Sequence, residues 1–437
     1  MSTTIRKKQG PEPPPPVLLD YAATRAAFSW EEVAGQLVAP LAGPLNVGEL
    51  AVRRGGTLLW YGSEGQVERF TSDELVARSG RAARAFASLG VKTGDRVAFM
   101  CKGIPELAFG VLGALRLGAV PLVLGRAKTP EPVRAFLLKS GARVLVCEPD
   151  VRPLVEAAAA PGPLPLETIV LVARGGTRMA GPSKDVAWDE LVPAQSPDFD
   201  AVPLPPEAPA WMHPIDTLTG PAVAAHHSAF PLFSSAGLAL DLRPGDGFLA
   251  LALPGDTLFV PYGLLAPLLR GAKTFLFEDP VRFNRYGNLE DPVHVWLSAG
   301  RGLDVVLHLD PGLGLLLSKC RHIAVAHPYD LDFTALTRFS YGSPLHPVWI
   351  PRELGSIQAA EFRAFDIMVG SVGRALPGSE IKIDEASGCL AVRLGPSVPF
   401  TGYWEDVGTQ EKRVKNGWFI TDLPAKMDPD GYAWIAS

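Results

Sequence analysis

Thr217, Thr219 and Gly220 lie in a short segment, Ile215–His227 (IDTLTGPAVAAHH), whose position and residue types suggest a phosphate-binding loop. Such a loop needs several glycines, so that backbone N–H groups can approach the oxygens, together with hydroxyl donors and a lysine. This segment retains two hydroxyls and one glycine. It contains no lysine, and Pro221 removes a backbone donor. We therefore predict a phosphate-binding loop with most of its binding groups missing.

The elements that would position this loop alternate between helix and strand. Thr71 and Glu74 have the spacing of a capping box at the start of a helix, and Thr129 with Pro130 opens another. Short apolar strands follow such helices, which predicts parallel sheets with helices on both faces. From about Pro347 onward, short β-like runs alternate with Gly, Pro and Asp turns, which predicts a small β-rich subdomain.

Shifts in composition divide the chain into four predicted segments. The stretch PEPPPP ends a disordered proline-rich tail, and two proline-rich linkers separate the later blocks. The predicted boundaries are residues 1–16 for the tail, 17–200 for a first α/β subdomain, 201–346 for a second α/β subdomain, and 347–437 for the β-rich subdomain.

Composition excludes several classes of function. The 437 residues are 47% hydrophobic and 20% charged, and the net charge of -5 provides no basic footprint for nucleic acid or an anionic membrane. The four cysteines are far apart in sequence, which argues against a disulfide framework or a zinc site. No run of about 18 apolar residues is present, so no membrane span is expected. We expect a cytoplasmic protein.

Several motifs occur in an order that is similar to one known family. FSWEEV (28–33), DIMVGSVGRALPG (366–378), GYWED (402–406) and DPDGYAWI (428–435) together resemble the AMP-forming acetyl-CoA synthetase and acyl-CoA ligase group of the adenylate-forming enzymes. The resemblance covers nearly all of residues 17–437. In that family, ATP and a carboxylic acid form an acyl-adenylate, and coenzyme A then captures the acyl group as a thioester.

The resemblance also implies an architecture. The family's large N-terminal domain has two stacked α/β sheet subdomains and a small β-rich subdomain, and it holds the nucleotide and the acid. A mobile C-terminal domain brings an essential lysine over the site. The chain stops at Ser437, about where the hinge to that domain should begin, so we expect the mobile domain to be absent.

The family's loop and its magnesium-binding pair carry over onto this sequence only in part. The phosphate loop falls on Thr217–Ala225, with the losses described above. The Thr-Glu pair, whose glutamate helps to hold magnesium, falls on Arg352 and Glu353. Glu353 is retained, while an arginine replaces the neighbouring hydroxyl. The histidines His226 and His227 match histidines that often follow the loop in the family.

The adenine and ribose contacts are also altered. The adenine-contacting Gly-Glu-Pro turn matches Gly342 and Ser343, without the glutamate, and a helix and strand next to it are expected to be deleted. The ribose-binding aspartate matches Asp422, which follows Thr421 directly because the intervening glycine is missing or displaced. A shift of one residue in an extended segment turns a side chain to the other face. We therefore expect Asp422 to miss the ribose hydroxyls.

These losses favour a pseudoenzyme that acts in protein assembly or regulation, through a protein partner or a homo-oligomer. No catalytic residue is assigned. The vestigial nucleotide-binding candidates are Thr217, Thr219, Gly220, Gly342, Ser343, Glu353 and Asp422, and Glu353 would contact magnesium if the ion binds. Two alternatives stay open: a sensor or carrier that binds ATP, AMP or coenzyme A, and an acyl-CoA ligase completed by another chain.

Overall fold

Two large β-sheets, with helices packed against them, form the fold. The computed structural model describes residues 4–5, 14–127, 129–174, 185–279, 289, 291–299, 316–326 and 344–436. Strands and helices alternate through the first two thirds of these residues, and short antiparallel strands follow. The predicted α/β class with a β-rich final part is confirmed.

The helices begin and end largely where the sequence signals them. The capping box of Thr71 and Glu74 is present, Thr129 precedes a helix that begins at Pro130, and Gly118 (φ +78°) ends another in the left-handed region. No helix among the described residues has both the length and the apolar character needed to cross a membrane. The α-helices are α1 Tyr21–Ala27, α2 Trp30–Leu37, α3 Val47–Arg53, α4 Ser72–Ser88, α5 Pro105–Leu117, α6 Pro130–Ser140, α7 Arg152–Ala159, α8 Trp188–Leu191, α9 Ala229–Leu238, α10 Ala266–Leu269 and α11 Val407–Arg413.

The strands are mostly short and buried. In chain order they are β1 Thr4–Ile5, β2 Thr57–Tyr61, β3 Val67–Phe70, β4 Arg96–Met100, β5 Val120–Val123, β6 Val144–Cys147, β7 Thr168–Leu171, β8 Asp185–Ala187, β9 Pro209–His213, β10 Ala222–Ala225, β11 Gly247–Leu251, β12 Lys273–Phe277, β13 Val295–Ala299, β14 His322–Ala326, β15 Leu345–Trp349, β16 Ala359–Ala360, β17 Ile367–Met368, β18 Ser371–Ala375, β19 Ile381–Ile383, β20 Cys389–Arg393, β21 Phe400–Tyr403, β22 Val414–Lys415, β23 Trp418–Met427 and β24 Ala433–Ile435.

Sheet A carries the predicted phosphate loop. Its strand order is β21-β10-β9-β5-β4-β6-β7-β8, and the neighbours from β9 to β8 are parallel. Strands β10 and β21 extend the sheet in antiparallel pairing. β5 and β6 are buried along their whole length, which explains their continuous apolar sequences. The β9–β10 hairpin turns through the candidate loop.

Sheet B has a parallel centre and an antiparallel extension. The order β2-β12-β11-β13-β14-β15 is parallel, with β3 antiparallel at one edge. Beyond β15, the strands β16, β18, β24, β23, β20 and β19 continue the sheet in antiparallel pairing. One apolar core joins side chains of both sheets with α3, α4, α5, α9 and α10.

The segment that the sequence predicts as one helix at Val260–Leu269 is divided. Phe259–Leu265 is π-helical and only Ala266–Leu269 is α-helical. Pro267 has no N–H to donate to the Gly263 carbonyl, and Thr274 Oγ1 donates to that oxygen instead (2.9 Å). The wider turn follows from the missing donor.

The predicted segment boundaries at 200/201 and 346/347 stay predictions. Strands from both sides of each boundary belong to the same sheets. β2 and β3 lie in sheet B, whereas β9 and β10 lie in sheet A. β21, from the β-rich part, also pairs into sheet A. Within the predicted tail, Thr4–Ile5 pairs with Ile367–Met368, so this part of the tail lies on the fold.

Asp241 connects several elements at the amino-terminal edge of sheet B. The residue is 2% exposed and has a left-handed backbone (φ 51°). Its Oδ2 accepts from Arg321 Nε (3.1 Å) and from Arg363 Nη1, and its Oδ1 accepts from the Val17 N–H (2.7 Å). Arg321 also contacts Asp246 (Nη1 to Oδ1, 3.2 Å). One buried carboxylate therefore connects the segment before α1 with Arg321, which precedes β14, and with Arg363, which lies between β16 and β17.

We expect Asp241→Asn to lower the free energy of unfolding by about 3 kcal/mol, because the neutral amide leaves two buried guanidinium groups short of a counter-charge. Asparagine tolerates the left-handed backbone, so the effect reports the charge. Urea denaturation measures it, with the exposed Glu385→Gln as control, which should change the value by less than about 0.5 kcal/mol. A loss below about 1 kcal/mol for Asp241→Asn would contradict the role assigned to this carboxylate.

Candidate functional site

The backbone of the loop between β9 and β10 is hydrogen-bonded to Asp216, an aspartate of the same loop. Asp216 Oδ1 accepts hydrogen bonds from the backbone N–H groups of Leu218 and Thr219, each at 2.7 Å. Partial burial of Asp216 works against ionisation, but the N–H bonds from Thr219 and Leu218 prevail and lower the pKa of its carboxyl. Thr217 and Leu218 are exposed at the tip of the loop. Two of the backbone donors that a phosphate would need are thus already bonded.

A second aspartate, which lies 186 positions after Gly220 in the sequence, bonds the third donor. The Gly220 N–H donates to Asp406 Oδ2 (3.0 Å), and Asp406 also accepts from Thr409 N (3.0 Å) as the N-cap of α11. These bonds from Gly220 and Thr409 lower the pKa of Asp406. A Cβ at position 220 would lie 2.4 Å from the Trp404 carbonyl oxygen. Glycine is therefore required here by close packing.

Lys139 of α6 supplies a positive charge beside this loop. Its Nζ donates to the Thr219 carbonyl oxygen at 3.0 Å. The ammonium also contributes to the lowered pKa values of Asp216 and Asp406. The lysine thus partly offsets the charge of the two aspartates. It lies on α6 and not in the loop, where the lysine of a phosphate-binding loop would be expected.

Glu353 lies on the turn that follows β15, beside the exposed Arg352. Burial raises the pKa of Glu353, and the nearby Asp422 carboxylate adds to the increase although Arg413 opposes it. The buried Tyr262 anchors the residues that follow this turn. Its Oη accepts from the Ile357 N–H (2.8 Å) and is hydrogen-bonded to Ser235 Oγ (2.9 Å).

Asp422 lies at a β-bulge. Cys389 pairs with Pro424 and Ala391 with Ile420, so three residues of β23 face one residue of β20. Asp422 is 75% exposed and contacts Arg413 (Oδ2 to Nη2, 3.2 Å). The structure therefore brings Glu353, Asp422 and Arg413 into one charged group. In it, the carboxylate that matches the family's ribose-binding aspartate is paired with an arginine of the same chain.

Two histidines near the loop are buried and structural. The His226 Nδ1 accepts from the Val47 N–H (3.1 Å), and burial lowers the pKa of His226 to about 4. His213 lies beneath the turn, where a Cβ on Gly355 would be 3.6 Å from its Cε1, and burial lowers its pKa to about 4 as well. No group of three or more His, Cys, Asp or Glu residues in the described ranges could hold a metal ion.

A cavity of about 300 Å³ opens between the loop and the carboxyl end of β5. Leu124, Val133, Phe136 and Ile215 give it an apolar wall, and the guanidinium-bearing residues Arg126 and Arg352 lie on its lining. A larger cavity of about 1030 Å³ elsewhere shares no residue with it, and its lining has seven acidic residues, including Glu106 and Glu148, against two basic ones, Lys102 and Arg174. The smaller cavity is therefore the better receptor for an anion.

Comparison with known proteins places this geometry in a family. The sequence profile described as "AMP-binding enzyme" matches residues 51–404. The chain belongs to the AMP-binding enzyme family. This confirms the adenylate-forming acyl-CoA ligase family that the motifs indicated.

Individual members of the family are similar over most of this chain. The acetyl-coenzyme A synthetase of Bacillus subtilis (strain 168) is 26% identical over 447 residues, covering 96% of this chain and 77% of that protein. The 3-hydroxybenzoate–CoA ligase of Aromatoleum sp. (strain CIB) is 26% identical over 392 residues, covering 84% and 72%. The crystal structure of a Brucella canis acyl-CoA synthetase has a TM-score of 0.83 and 22% identity, covering 95% and 79%. At that identity the structural likeness shows the fold.

The residues of this AMP-binding family member fit a triphosphate with magnesium poorly. The N–H groups of Leu218, Thr219 and Gly220 already donate to carboxylates. Burial raises the pKa of Glu353, and the adjacent residue is the cation Arg352 in place of a hydroxyl ligand. Gly342 and Ser343 lie outside the described residues. Among the predicted positions, the structure brings Thr219 and Gly220 together in the loop and Glu353 together with Asp422.

Sequence reasoning missed the residues that close the site: Asp216, Asp406, Lys139 and Arg413. Two of them had a local signal. Asp406 and Thr409 have the D-x-x-T spacing of an N-cap, and Asp216 accepts from the N–H groups two and three residues later, as in an Asx-turn. Lys139 and Thr219 are far apart in sequence, and no spacing rule connects them.

Because His213 and His226 are buried and have lowered pKa values, we expect the protein to lose stability in mild acid. His213 and His226 have a pKa of about 4 in the folded chain, against about 6.5 when unfolded. The unfolded chain therefore binds more protons between these values, and stability falls as the pH drops from about 6.5 to 4. Each histidine contributes on the order of 3 kcal/mol to this fall.

Urea denaturation at pH 7 and pH 4 measures this effect. In His226→Asn, the amide oxygen still accepts from Val47, so the fall in unfolding free energy should be smaller than in the wild type by on the order of 3 kcal/mol. The control Glu385→Gln should show the wild-type fall. An equal fall in His226→Asn and the wild type would show that His226 does not titrate as inferred.

Proposed function

We propose that this chain is a catalytically degenerate member of the AMP-binding enzyme family, a pseudoenzyme that acts in protein assembly or regulation. The observation that carries the proposal is the hydrogen bonding of the loop by Asp216 and Asp406. A phosphate would have to displace both carboxylates, and each charge-assisted bond of this kind contributes about 1.5–3 kcal/mol. Adenylation depends on donors that are free and aimed at developing charge.

The role in assembly is supported by the apolar side chains around the closed loop. Leu218 is 87% exposed at the loop tip, and Val407, next to Asp406, is 68% exposed. Exposed apolar groups on a rigid frame suit a protein contact. A protein partner or a second copy of the chain would bury them. Cytoplasmic location is part of the same proposal.

The closed loop predicts that Mg-ATP and AMP bind the wild-type protein more weakly than about 1 mM in calorimetric titration. In the double variant Asp216→Ser/Asp406→Ser, neutral and shorter acceptors retain the caps but are displaced more easily, so binding of inorganic triphosphate should strengthen at least tenfold. Glu411→Gln, on the exposed side of α11, is the matched control and should resemble the wild type.

The companion assay follows pyrophosphate release with ATP, acetate and coenzyme A. The pseudoenzyme should give no release above background. Release by the purified chain would overturn the proposal in favour of an active acyl-CoA ligase. Release only after a second protein is added would favour a ligase completed by that protein.

A second candidate function, a sensor or carrier for an acyl thioester, is supported by the cavity beside the loop. Its apolar wall and the positions of Arg126 and Arg352 suit an acyl group joined to an anionic carrier. Arg352 is exposed and shows no ion pair among the described residues.

This candidate predicts saturable binding of acetyl-CoA, weakened at least tenfold by Arg352→Gln because a charge-assisted bond is lost. Arg25→Gln, on the distant helix α1, is the control and should leave the affinity unchanged. Absence of saturable binding of acetyl-CoA, AMP and Mg-ATP together would leave the assembly role.

A further inference from the structure

A third cavity, of about 330 Å³, is lined by residues of α1, α2 and α9. Val17, Phe28, Val33, Phe233 and Leu238 are the large apolar residues of its lining. Its size is within the lower range of small-molecule sites. It shares no lining residue with the cleft described above.

Arg270 and the exposed Glu32 are the charged residues of this lining, and Arg270 is the cation. The residue caps α10 at the amino-terminal edge of sheet B, and its Nε donates to the Leu242 carbonyl oxygen at 3.1 Å. That bond anchors the side chain but uses one of its five N–H donors. In the described part of the chain, neither Nη atom has an acceptor and no carboxylate lies within ion-pair distance.

The surroundings leave the Arg270 guanidinium poorly compensated. Its Cζ lies 4.3 Å from the Phe233 ring centroid, and Arg54 approaches the same ring at 5.7 Å. Gly237 permits the close packing, because a Cβ there would be 3.2 Å from the Arg270 Cζ. Burial, reinforced by the charge of Arg54, lowers the pKa of Arg270 to about 10. A desolvated cation of this kind is stabilised by an anion with its own apolar part.

We propose that this cavity binds a small monocarboxylic acid with a short apolar chain. The carboxylate accepts from the two Nη groups of Arg270 in a fork, which is the geometry that guanidinium and carboxylate share. The chain lies against Phe28, Val33 and Leu238. A bare phosphate would leave the apolar wall unused, and a neutral apolar molecule would leave the guanidinium unpaired. The site is independent of the function proposed above.

The test uses octanoate as the probe and the full chain. Calorimetric titration should show saturable binding, and methyl NMR should localise it through shifts at Val33 and Leu238. Arg270→Gln should weaken binding at least tenfold, whereas Arg270→Lys, which keeps a charge, should weaken it less. Ala27→Trp, at the exposed end of α1, should block the cavity without disturbing the core.

Control variants distinguish octanoate binding in this cavity from binding elsewhere on the chain. Arg54, the second cation near Phe233, does not line the cavity, so Arg54→Gln should change the affinity less than threefold. Arg352→Gln should have no effect if octanoate avoids the cavity beside the loop. Octan-1-ol should bind at least tenfold more weakly. The inference fails if wild-type binding is not saturable, if octanol binds equally well, or if folded Arg270→Gln and Arg270→Lys retain full affinity.

Discussion

The antiparallel pairing of β21 with β10 is the constraint on which the candidate site depends. It joins the β-rich part of the chain to the edge of sheet A, with Ala222 opposite Tyr403 and Val223 opposite Gly402. The Trp404 N–H extends the pairing by donating to the Pro221 carbonyl oxygen (2.9 Å). This pairing carries Asp406 to the base of the loop, and it also explains why a glycine is needed at position 220.

Electrostatic compensation within the protein distinguishes this site from one ready for a nucleotide. Asp216 and Asp406 accept from the loop's backbone, Lys139 lies beside both, and Asp422 is paired with Arg413. An enzyme that stabilises developing negative charge needs donors that are ordered and unused before the reaction. In this chain the donors are ordered but already used.

The amino-terminal edge of sheet B shows the opposite balance between paired and unpaired charge. Asp241 and Asp246 are saturated by guanidinium groups, which hold the segment before α1 against the body of the fold. Farther along the same edge, Arg270 and Arg54 lie over one aromatic ring, and neither forms an ion pair with a carboxylate among the described residues. Buried charges that lack a partner are costly unless something binds them.

Much of the fold was predictable from local sequence. The capping box at Thr71, the proline start of α6 and the glycine end of α5 act over a few residues, and each is present in the structure. The π-helical turn before α10 was missed, because it depends on Thr274 of a neighbouring strand, whose hydroxyl replaces the donor that Pro267 lacks.

The sequence by itself determined the family, the α/β class and the loss of the loop's lysine and glycines, because motif order and residue types are properties of the chain alone. Only the tertiary structure decided which groups bond the Gly220 N–H and the Thr219 carbonyl oxygen of that loop. Asp406 and Gly220 are 186 positions apart, and Lys139 lies 80 positions before Thr219. Hydrogen bonds between such distant residues depend on strand pairing and on the packing of α6, and neither leaves a periodic signal in the sequence.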